Sequence, residues 1–437
     1  MQNADLVVLP RWLVPVEPAG AVLVEHALAV HEGRVLDVLP LDQAVARYAP
    51  SRTLALPQHA VMPGLVNTHT HAAMTLLRGL ADDLPLMDWL QNHIWPAEGA
   101  HVGRGFCEDG VRLACAEMIR GGTTCFNDMY FFPDVSAQVA IAAGMRATVG
   151  LIVLDFPTAW AANADEYLHK GLAVHDALKG EPLARTIFAP HAPYTVADAP
   201  LRKVREYATE LGIGIHMHLH ETSGEVLMAM QTTGKRPWQR LKELDLLGPD
   251  LLAVHMTQLS DEEIAEAARF GVQVVHCPES NLKLASGFCP VDKLQKAGVN
   301  VALGTDGAAS NNDLDMQGEM STAALLAKGV SGDARALSAS QALHMATLGG
   351  ARALGLDQEI GSLAKGKSAD FIALDLGGVA TQPLYNALSH AVYAANRDCV
   401  SDVYVAGRAL MRDRELLSID QAEAIAKAQE WRAKIKP

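Results

Sequence analysis

Short apolar runs alternate with longer amphipathic stretches along this chain, and this alternation constrains its fold more than any other feature. Eight runs are rich in β-branched residues, and the segments between them place apolar residues at helical spacing. The runs read VMPGLVNTHTH, TTCFNDM, RATVGLIVL, RTIFAPHA, GIGIHMHLHE, LLAVHMT, VQVVHCPES and VNVALGTDG. Eight strand–helix units in succession predict an α/β protein built on a (β/α)8 TIM barrel with insertions.

A doubly wound open sheet is the competing architecture. Such a sheet usually has fewer strands and a glycine-rich loop that binds a nucleotide after its first strand. The sequence has no G-x-G-x-x-G at that point. The barrel is therefore the preferred fold.

Both ends of the chain have the character of a separate β structure. The segment AVLVEHALAVHEGRVLDVLP indicates two strands around a tight turn, and ADFIALDL and SDVYVAGRALM have a similar composition. We expect the two ends to pair into one small β-sandwich beside the barrel. The predicted divisions are 1–60 for its first part, 61–365 for the metal-dependent barrel, and 366–437 for its second part with a terminal helix.

Charge and targeting signals exclude several partners. The 437 residues include 36 basic and 50 acidic side chains, a formal net charge of −14, which disfavours a nucleic-acid partner. The six cysteines include no C-x-x-C pair and indicate a reducing compartment. Because the N-terminal segment lacks a basic signal region and no apolar stretch could span a bilayer, we predict a cytoplasmic protein with no membrane partner.

Polar residues gather where the predicted strands end. In barrel enzymes the functional groups lie at the carboxyl ends of the strands, so these residues would meet at one mouth. The candidates are His69, His71, His191, His216, His218, His220, Glu221, His255, His276 and Asp306.

Two groups of histidines have the spacing of metal ligands. His69 and His71 share one face of a strand with Cα atoms roughly 6.6 Å apart, close enough to bind one ion. In HMHLHE the three histidines at 216, 218 and 220 also share a face, so spacing does not decide which of them binds a metal. Histidines that only pack or form hydrogen bonds are the alternative for both groups.

Asp306 ends the apolar run VALGTD. A carboxylate there costs several kcal/mol of desolvation unless it is paired or bound to a metal. A plain aspartate that caps the next turn is the alternative. Together with the histidines, the mixture of nitrogen and oxygen donors favours a catalytic metal site.

Seven motifs then indicate a family. They are PG-x-x-N-x-H-x-H at 63–71, W-L-x-x-x-I-W-P-x-E at 89–98, PH-x-PY at 190–194, H-x-x-ETS at 218–223, SNLKL at 280–284, LGTDGAASNN at 303–312 and GSLAKGKSADF at 361–371. Over essentially its whole length the chain resembles the amidohydrolase superfamily and, within it, the 5′-methylthioadenosine/S-adenosylhomocysteine deaminases.

The resemblance implies one divalent metal ion per subunit, with zinc as the expected ion. Its ligands would be His69, His71, His218 and Asp306. His216 and His220 would then have structural roles. Relatives with two metals carry a bridging carboxylated lysine near the end of the fourth strand, where this chain has His191, so a single metal is expected.

The resemblance also implies a deamination. The ion lowers the pKa of its water from about 15.7 to about 7 and so provides hydroxide. Asp306 would accept the water's proton, Glu221 would pass a proton to N1 of adenine, and His255 would stabilise the tetrahedral alkoxide before ammonia leaves. The product would be a 6-oxo purine.

Substrate contacts are implied as well. Glu98 would hold the ribose hydroxyls, His191 the nucleoside, and Trp89 would form an apolar wall, although a tryptophan before an apolar helix is usually core. Ser310 would lie near the base, which Glu221 and Asp306 would also contact.

The segment after the third strand departs from the family. Many relatives carry an arginine there, in an S/T-R-G segment that can contact a charged 5′ tail, whereas GMRATVGLIVLDFP offers only the earlier Arg146, which would have a structural role. An uncharged or absent tail needs no such partner. We therefore expect methylthioadenosine and adenosine to rank before S-adenosylhomocysteine.

Two alternatives remain. The same metal site could act on another heterocycle, such as guanine, cytosine, an oxidised purine or a chlorinated triazine, but Trp89 and Glu98 favour a nucleoside. A non-catalytic assembly protein is disfavoured because the four ligands, Glu221 and His255 are all present. Since relatives are commonly dimers or tetramers, a homo-oligomer is expected.

Overall fold

The structure, a computed structural model, describes residues 1–435. Its strands form two sheets. In chain order they are β1 Gln2–Leu13, β2 Leu23–Val24, β3 His26–His31, β4 Arg34–Pro40, β5 Tyr48–Pro63, β6 Leu65–Thr70, β7 Thr123–Asp128, β8 Arg146–Val153, β9 Ala184–Pro190, β10 Ile215–Leu219, β11 Leu251–His255, β12 Gln273–His276, β13 Val301–Leu303, β14 Phe371–Asp375, β15 Val400–Val405, β16 Arg408–Arg412 and β17 Glu415–Leu416.

Strands β6 to β13 form the barrel. Each pairs in parallel with the next along the chain, and each of the eight predicted runs supplies one strand. The first and last strands meet through a parallel bridge between Thr70 and Asp306, where the Asp306 backbone N–H donates to the carbonyl of His69 at 3.0 Å. The predicted α/β barrel is confirmed, and its closing contact lies at the predicted metal site.

The first run spans two strands rather than one. Residues up to Pro63 belong to β5, which pairs with β14 in the other sheet, and β6 begins at Leu65. Gly64 makes the passage between sheets possible, because a Cβ there would lie 2.1 Å from Oγ1 of Thr124. The close approach of the Thr124 side chain to the Gly64 backbone therefore requires glycine at this point.

The second sheet joins the two ends of the chain. Its path is β17-β16-β15-β14-β5-β1-β3-β4, with β2 added to β1, and only the β1–β5 pair is parallel. Leu28, Phe371 and Tyr404 belong to one buried cluster drawn from both ends. The expected association of the termini is thus confirmed, whereas the exact domain boundaries stay a prediction.

Helices cover the barrel and follow its strands. They are α1 Leu41–Arg47, α2 Leu86–Trp89, α3 Trp95–His101, α4 Arg104–Arg120, α5 Pro133–Ala143, α6 Ala164–Ala177, α7 Asp198–Leu211, α8 Ser223–Thr233, α9 Pro237–Glu243, α10 Asp261–Phe270, α11 Pro278–Lys283, α12 Val291–Lys296, α13 Met316–Ser331, α14 Ala339–Met345, α15 Leu348–Ala353, α16 Ala387–Tyr393 and α17 Gln421–Lys434. Short 3₁₀ turns span Ala72–Leu77, Val379–Thr381 and Arg397–Cys399, and a π-helical turn at Leu90–Ile94 joins α2 to α3. Within residues 1–435, no helix combines the length and apolarity needed to cross a membrane.

Candidate metal centre and substrate cavity

Four predicted ligands converge at the carboxyl end of the barrel. His69 lies near the end of β6 and His71 just after it, while His218 lies in β10 and Asp306 follows β13. One ligand atom from each lies within 4.8 Å of the others. Strands far apart in sequence are thus brought to one point by barrel closure.

The ring orientations suit metal binding through Nε2. Nδ1 of His71 lies 2.5 Å from the carbonyl of Met129, and Nδ1 of His218 lies 2.8 Å from the carbonyl of His191. A carbonyl only accepts hydrogen bonds, so each Nδ1 carries the proton and donates it. In the neutral ring Nε2 is then left with a lone pair facing the centre, the arrangement that metal-binding histidines usually have.

The distances between donor atoms also fit an ion. Nε2 of His69 lies 3.2 Å from Nε2 of His218, and Oδ1 of Asp306 lies 3.2 Å from Nε2 of both His69 and His71. A tetrahedral ion with bonds of about 2.0–2.1 Å would place its ligands about 3.3–3.4 Å apart. Lone pairs this close repel one another unless a proton or a metal ion lies between them, and the mixture of nitrogen and oxygen donors fits the predicted divalent metal.

The other histidines of HMHLHE lie outside this set. Nε2 of His216 lies 3.0 Å from Nδ1 of His69 and so orients a ligand from behind. Nε2 of His220 accepts the backbone N–H of Trp238 at 3.2 Å. Both histidines therefore contact protein atoms next to the ligand set, and their structural roles stay a prediction.

Asp306 has a second set of contacts. Its Oδ2 accepts hydrogen bonds from Oγ of Ser280 at 2.7 Å and Oγ of Ser310 at 2.9 Å. Its backbone φ of +64° is uncommon for a residue other than glycine. Ser310 lines the cavity, and its contact with a substrate base stays a prediction. Ser280 is a contact that sequence reasoning missed, although the SNLKL motif that contains it was noted.

Glu221 and His255 stand together beside the metal ligands. Oε2 of Glu221 lies 3.8 Å from Nε2 of His255, whose Nδ1 contacts Oδ1 of Asn281 at 2.9 Å. Burial raises the pKa of Glu221, which suits a carboxyl that takes up and releases a proton. The φ of +76° at His255 marks a second unusual backbone conformation at this rim.

Glu225 fixes the backbone that carries Glu221. Its carboxyl accepts the backbone N–H of Glu221 at 2.7 Å and that of His220 at 3.2 Å. Its own N–H donates to Oγ1 of Thr222, which begins helix α8. The sequence analysis missed this residue, although a threonine followed three residues later by glutamate is a helix-start signal.

A cavity of about 470 Å³ opens onto these groups. Besides the metal ligands His71, His218 and Asp306, its lining includes Glu221 and His255. Its size lies within the range typical of small-ligand sites. Three of the predicted ligands and the acid Glu221 therefore face the same cavity.

The segment that runs from α2 through the π-helical turn into α3 forms one wall of this cavity. Trp89 is 5 % exposed, lines the cavity and packs in the core, and its contact with a substrate stays a prediction. Glu98 lies nine residues later, and its Oε1 accepts a hydrogen bond from the Tyr130 hydroxyl at 2.6 Å. Burial raises the pKa of Glu98 to about 7. Tyr130 is a further contact that sequence reasoning missed.

His191 lies in the cavity wall, whereas Arg146 lies outside it. His191 lines the cavity, and its Nδ1 lies 3.0 Å from Oγ1 of Thr195. Arg146 instead pairs with Asp370 at 2.6 Å, outside the cavity lining. This contact ties the third barrel strand to the segment before β14 and agrees with the structural role expected for Arg146.

The model of the amidohydrolase family matches residues 60–410. The chain belongs to the amidohydrolase family. It is 49 % identical over 433 residues, 99 % of this chain and 97 % of the relative, to a 5-methylthioadenosine/S-adenosylhomocysteine deaminase of Saccharophagus degradans. The resemblance to these deaminases is thereby confirmed.

Two solved structures resemble this chain, one with high and one with low sequence identity. A crystal structure of an adenosine deaminase from Xanthomonas campestris with bound zinc has 54 % sequence identity, a TM-score of 0.98 and 99 % coverage of both chains. An atrazine chlorohydrolase from Arthrobacter aurescens has a TM-score of 0.91 over 98 % of this chain and 99 % of that one, but only 21 % identity. The second similarity shows the shared amidohydrolase fold alone.

Proposed function

We propose that this protein is a metal-dependent aminohydrolase that converts adenine nucleosides into inosine-type products and ammonia. One observation carries the proposal: three of the proposed metal ligands, His71, His218 and Asp306, line the same cavity as Glu221 and Glu98. The ligand atom of His69 lies within 4.8 Å of the other three and completes the set. The relatives support the same reaction class, because they are a methylthioadenosine/S-adenosylhomocysteine deaminase and a zinc-containing adenosine deaminase.

Zinc is the proposed ion, held by His69, His71, His218 and Asp306. When bound, such an ion lowers the pKa of water to about 7 and so supplies a hydroxide nucleophile near neutral pH. Three neutral imidazoles and one carboxylate leave one net positive charge on the site, which favours a bound anion. The single-metal expectation rests on His191, which stands where binuclear relatives have lysine.

The proposed proton transfers use groups already in place. Glu221, whose pKa burial raises, holds a proton for N1 of adenine and so makes C6 electrophilic. Asp306 accepts a proton from the attacking water through the carboxylate that Ser280 and Ser310 orient. His255 lies beside Glu221 and stabilises the oxygen that develops negative charge at C6.

The cavity wall would position the sugar. Glu98 accepts hydrogen bonds from the ribose hydroxyls, with Tyr130 holding its other side. His191 contacts the nucleoside, Trp89 supplies an apolar surface, and Ser310 lies near the base. These contacts favour a nucleoside over a free base, because a free base offers Glu98 no hydroxyl.

The first experiment measures ammonia release and bound metal together, with methylthioadenosine, adenosine, S-adenosylhomocysteine and guanine as substrates. Turnover of at least one of the nucleosides and about one equivalent of zinc per subunit are expected. Turnover of guanine alone would establish the free-base alternative. Absence of both metal and turnover would favour the assembly protein.

A matched pair of variants tests the acid. Glu221→Gln should keep the metal but lower kcat at least about a hundredfold, because general acid–base groups contribute about 10²–10⁴-fold. Glu210→Gln makes the same chemical change on the exposed surface of α7 and should behave as the unmodified protein. A fully active Glu221→Gln variant would refute the proton-transfer role. The expected homo-oligomer and the lack of a nucleic-acid partner stay predictions.

A further inference from the structure

The cavity wall away from the metal ligands is apolar. It is formed by side chains from α2, the π-helical turn, α3, strand β8 and the loop that follows β8. They include Leu86, Leu90, Trp95, Ile152, Leu154 and Phe156. None of the described residues that line the cavity is lysine or arginine, whereas Glu98 and Glu221 both are acids.

Two aromatic rings lie close together on this wall at a tilted angle. The ring centroids of Trp95 and Phe156 lie 6.3 Å apart at an interplanar angle of 57°. Phe156 is 38 % exposed, and Trp95 is only partly buried. Both therefore retain apolar surface that a bound group could cover.

Their position relative to Glu98 indicates which part of a nucleoside they would meet. Trp95 precedes Glu98 by three residues in α3, so the two side chains lie on the same helical face about 5–6 Å apart. If C6 of adenine lies at the metal ligands and the ribose at Glu98, the 5′ carbon is the part of the nucleoside furthest from the metal. The pair Trp95 and Phe156 then borders the 5′ substituent.

We propose, on the basis of the function proposed above, that Trp95 and Phe156 select an uncharged, apolar 5′ substituent such as an alkylthio group. Covering a methylthio group removes roughly two carbon-sized apolar groups from water, which is worth about tenfold in kcat/KM over adenosine. A homocysteine tail instead ends in an ammonium and a carboxylate. The carboxylate meets no lysine or arginine on this wall, and burial of an unpaired charge is unfavourable.

The cavity has a neighbouring pocket. Among the described residues that line the cavity or this pocket, the only lysine and arginine belong to the pocket, and both already have partners. Phe156 and Tyr194 separate the cavity from this pocket, which contains Lys235 and Arg240. Lys235 pairs with Glu243. Arg240 pairs with Asp198 at 2.7 Å and also donates to the carbonyl of Val196 at 2.8 Å. The charge of each cation is thus already balanced by a carboxylate that lines the same pocket.

The test compares kcat/KM of the zinc-loaded protein for adenosine, 5′-methylthioadenosine, 5′-butylthioadenosine and S-adenosylhomocysteine. The butylthio group has a length close to that of the homocysteine tail but no charge. We expect methylthioadenosine to exceed adenosine about tenfold and the butylthio compound to exceed S-adenosylhomocysteine at least about tenfold. Equal values for the last two, or a preference for S-adenosylhomocysteine, would overturn the proposal.

Single substitutions test whether Trp95 and Phe156 cause this preference among 5′ substituents. Trp95→Ala and Phe156→Ala should lower kcat/KM for methylthioadenosine several-fold more than for adenosine. The matched control is Phe288→Ala, which changes an exposed phenylalanine outside the cavity lining. It should leave the ratio of kcat/KM for methylthioadenosine to kcat/KM for adenosine unchanged. Unchanged ratios in both cavity variants, or a selective loss of S-adenosylhomocysteine turnover in Lys235→Met, would contradict the assignment. Absence of turnover of all four nucleosides by the unmodified protein would instead refute the proposed function itself.

Discussion

The hydrogen bond from Tyr130 to Glu98 should set the pH at which the protein binds its substrate. Burial raises the pKa of Glu98 to about 7, and the Tyr130 hydroxyl opposes that rise by donating to the carboxylate at 2.6 Å. The ionised carboxylate is the form that accepts hydrogen bonds from two ribose hydroxyls. Tyr130→Phe removes the donor and therefore raises the pKa of Glu98 further.

The size of the shift follows from the bond that is lost. A hydrogen bond to a charged group contributes about 1.5–3 kcal/mol, which corresponds to about one to two pKa units. The pKa of Glu98 would then move from about 7 to about 8–9. At pH 7 the ionised fraction falls from about half to about 1–10 %, so kcat/KM for adenosine should fall about five- to fiftyfold.

The assay is the pH profile of kcat/KM between about pH 6 and pH 9.5. In Tyr130→Phe the rise should move to higher pH, and most activity should return at the alkaline end. With 2′,3′-dideoxyadenosine the difference between the two proteins should largely vanish, since no hydroxyl is left for Glu98. Tyr404→Phe, a tyrosine in the nine-stranded sheet, is the matched control. An unshifted profile in Tyr130→Phe would refute this account of Glu98.

Three further predictions concern the metal and the strand ends. Gly304→Ala should lower zinc content and Tm, because a Cβ there would lie 2.8 Å from the backbone nitrogen of His69. The control is Gly329→Ala, whose Cβ would meet nothing within 4 Å and which should keep the zinc content and Tm of the unmodified protein. Glu225→Ala should lower kcat and Tm because two buried N–H groups lose their acceptor, each at a cost of about 1–3 kcal/mol. Glu225→Gln should lower kcat and Tm less. A normal kcat in Glu225→Ala would exclude a positioning role for Glu225. Chelation of the metal should lower Tm measurably in calorimetry and abolish ammonia release, and added zinc should restore both.

The barrel could be predicted because its signals are local. Each strand has its own apolar run, and the topology brings the carboxyl ends of such strands together without further information. The positions of His69 and Asp306 therefore followed from where their runs end. Spacing alone did not separate His218 from its neighbours at 216 and 220, because all three share one strand face. The family motif made that choice.

Contacts between loops could not be predicted in the same way. Tyr130 reaches Glu98 across 32 positions in the chain, and Ser280 reaches Asp306 across 26. Neither pair has a periodic pattern, since each depends on how two separate segments fold over the rim. The split of the first run at Gly64 was missed for the same reason, because the neighbouring Thr124 lies in another strand.

We propose that three imidazoles and one carboxylate hold a single ion at the base of this cavity. Crystals of the catalytically active protein, measured above and below the zinc absorption edge, test it directly. The predicted result is one anomalous peak about 2.0–2.2 Å from Nε2 of His69, His71 and His218 and from Oδ1 of Asp306. Active crystals with no anomalous peak among these atoms, or with the metal bound elsewhere, would contradict it.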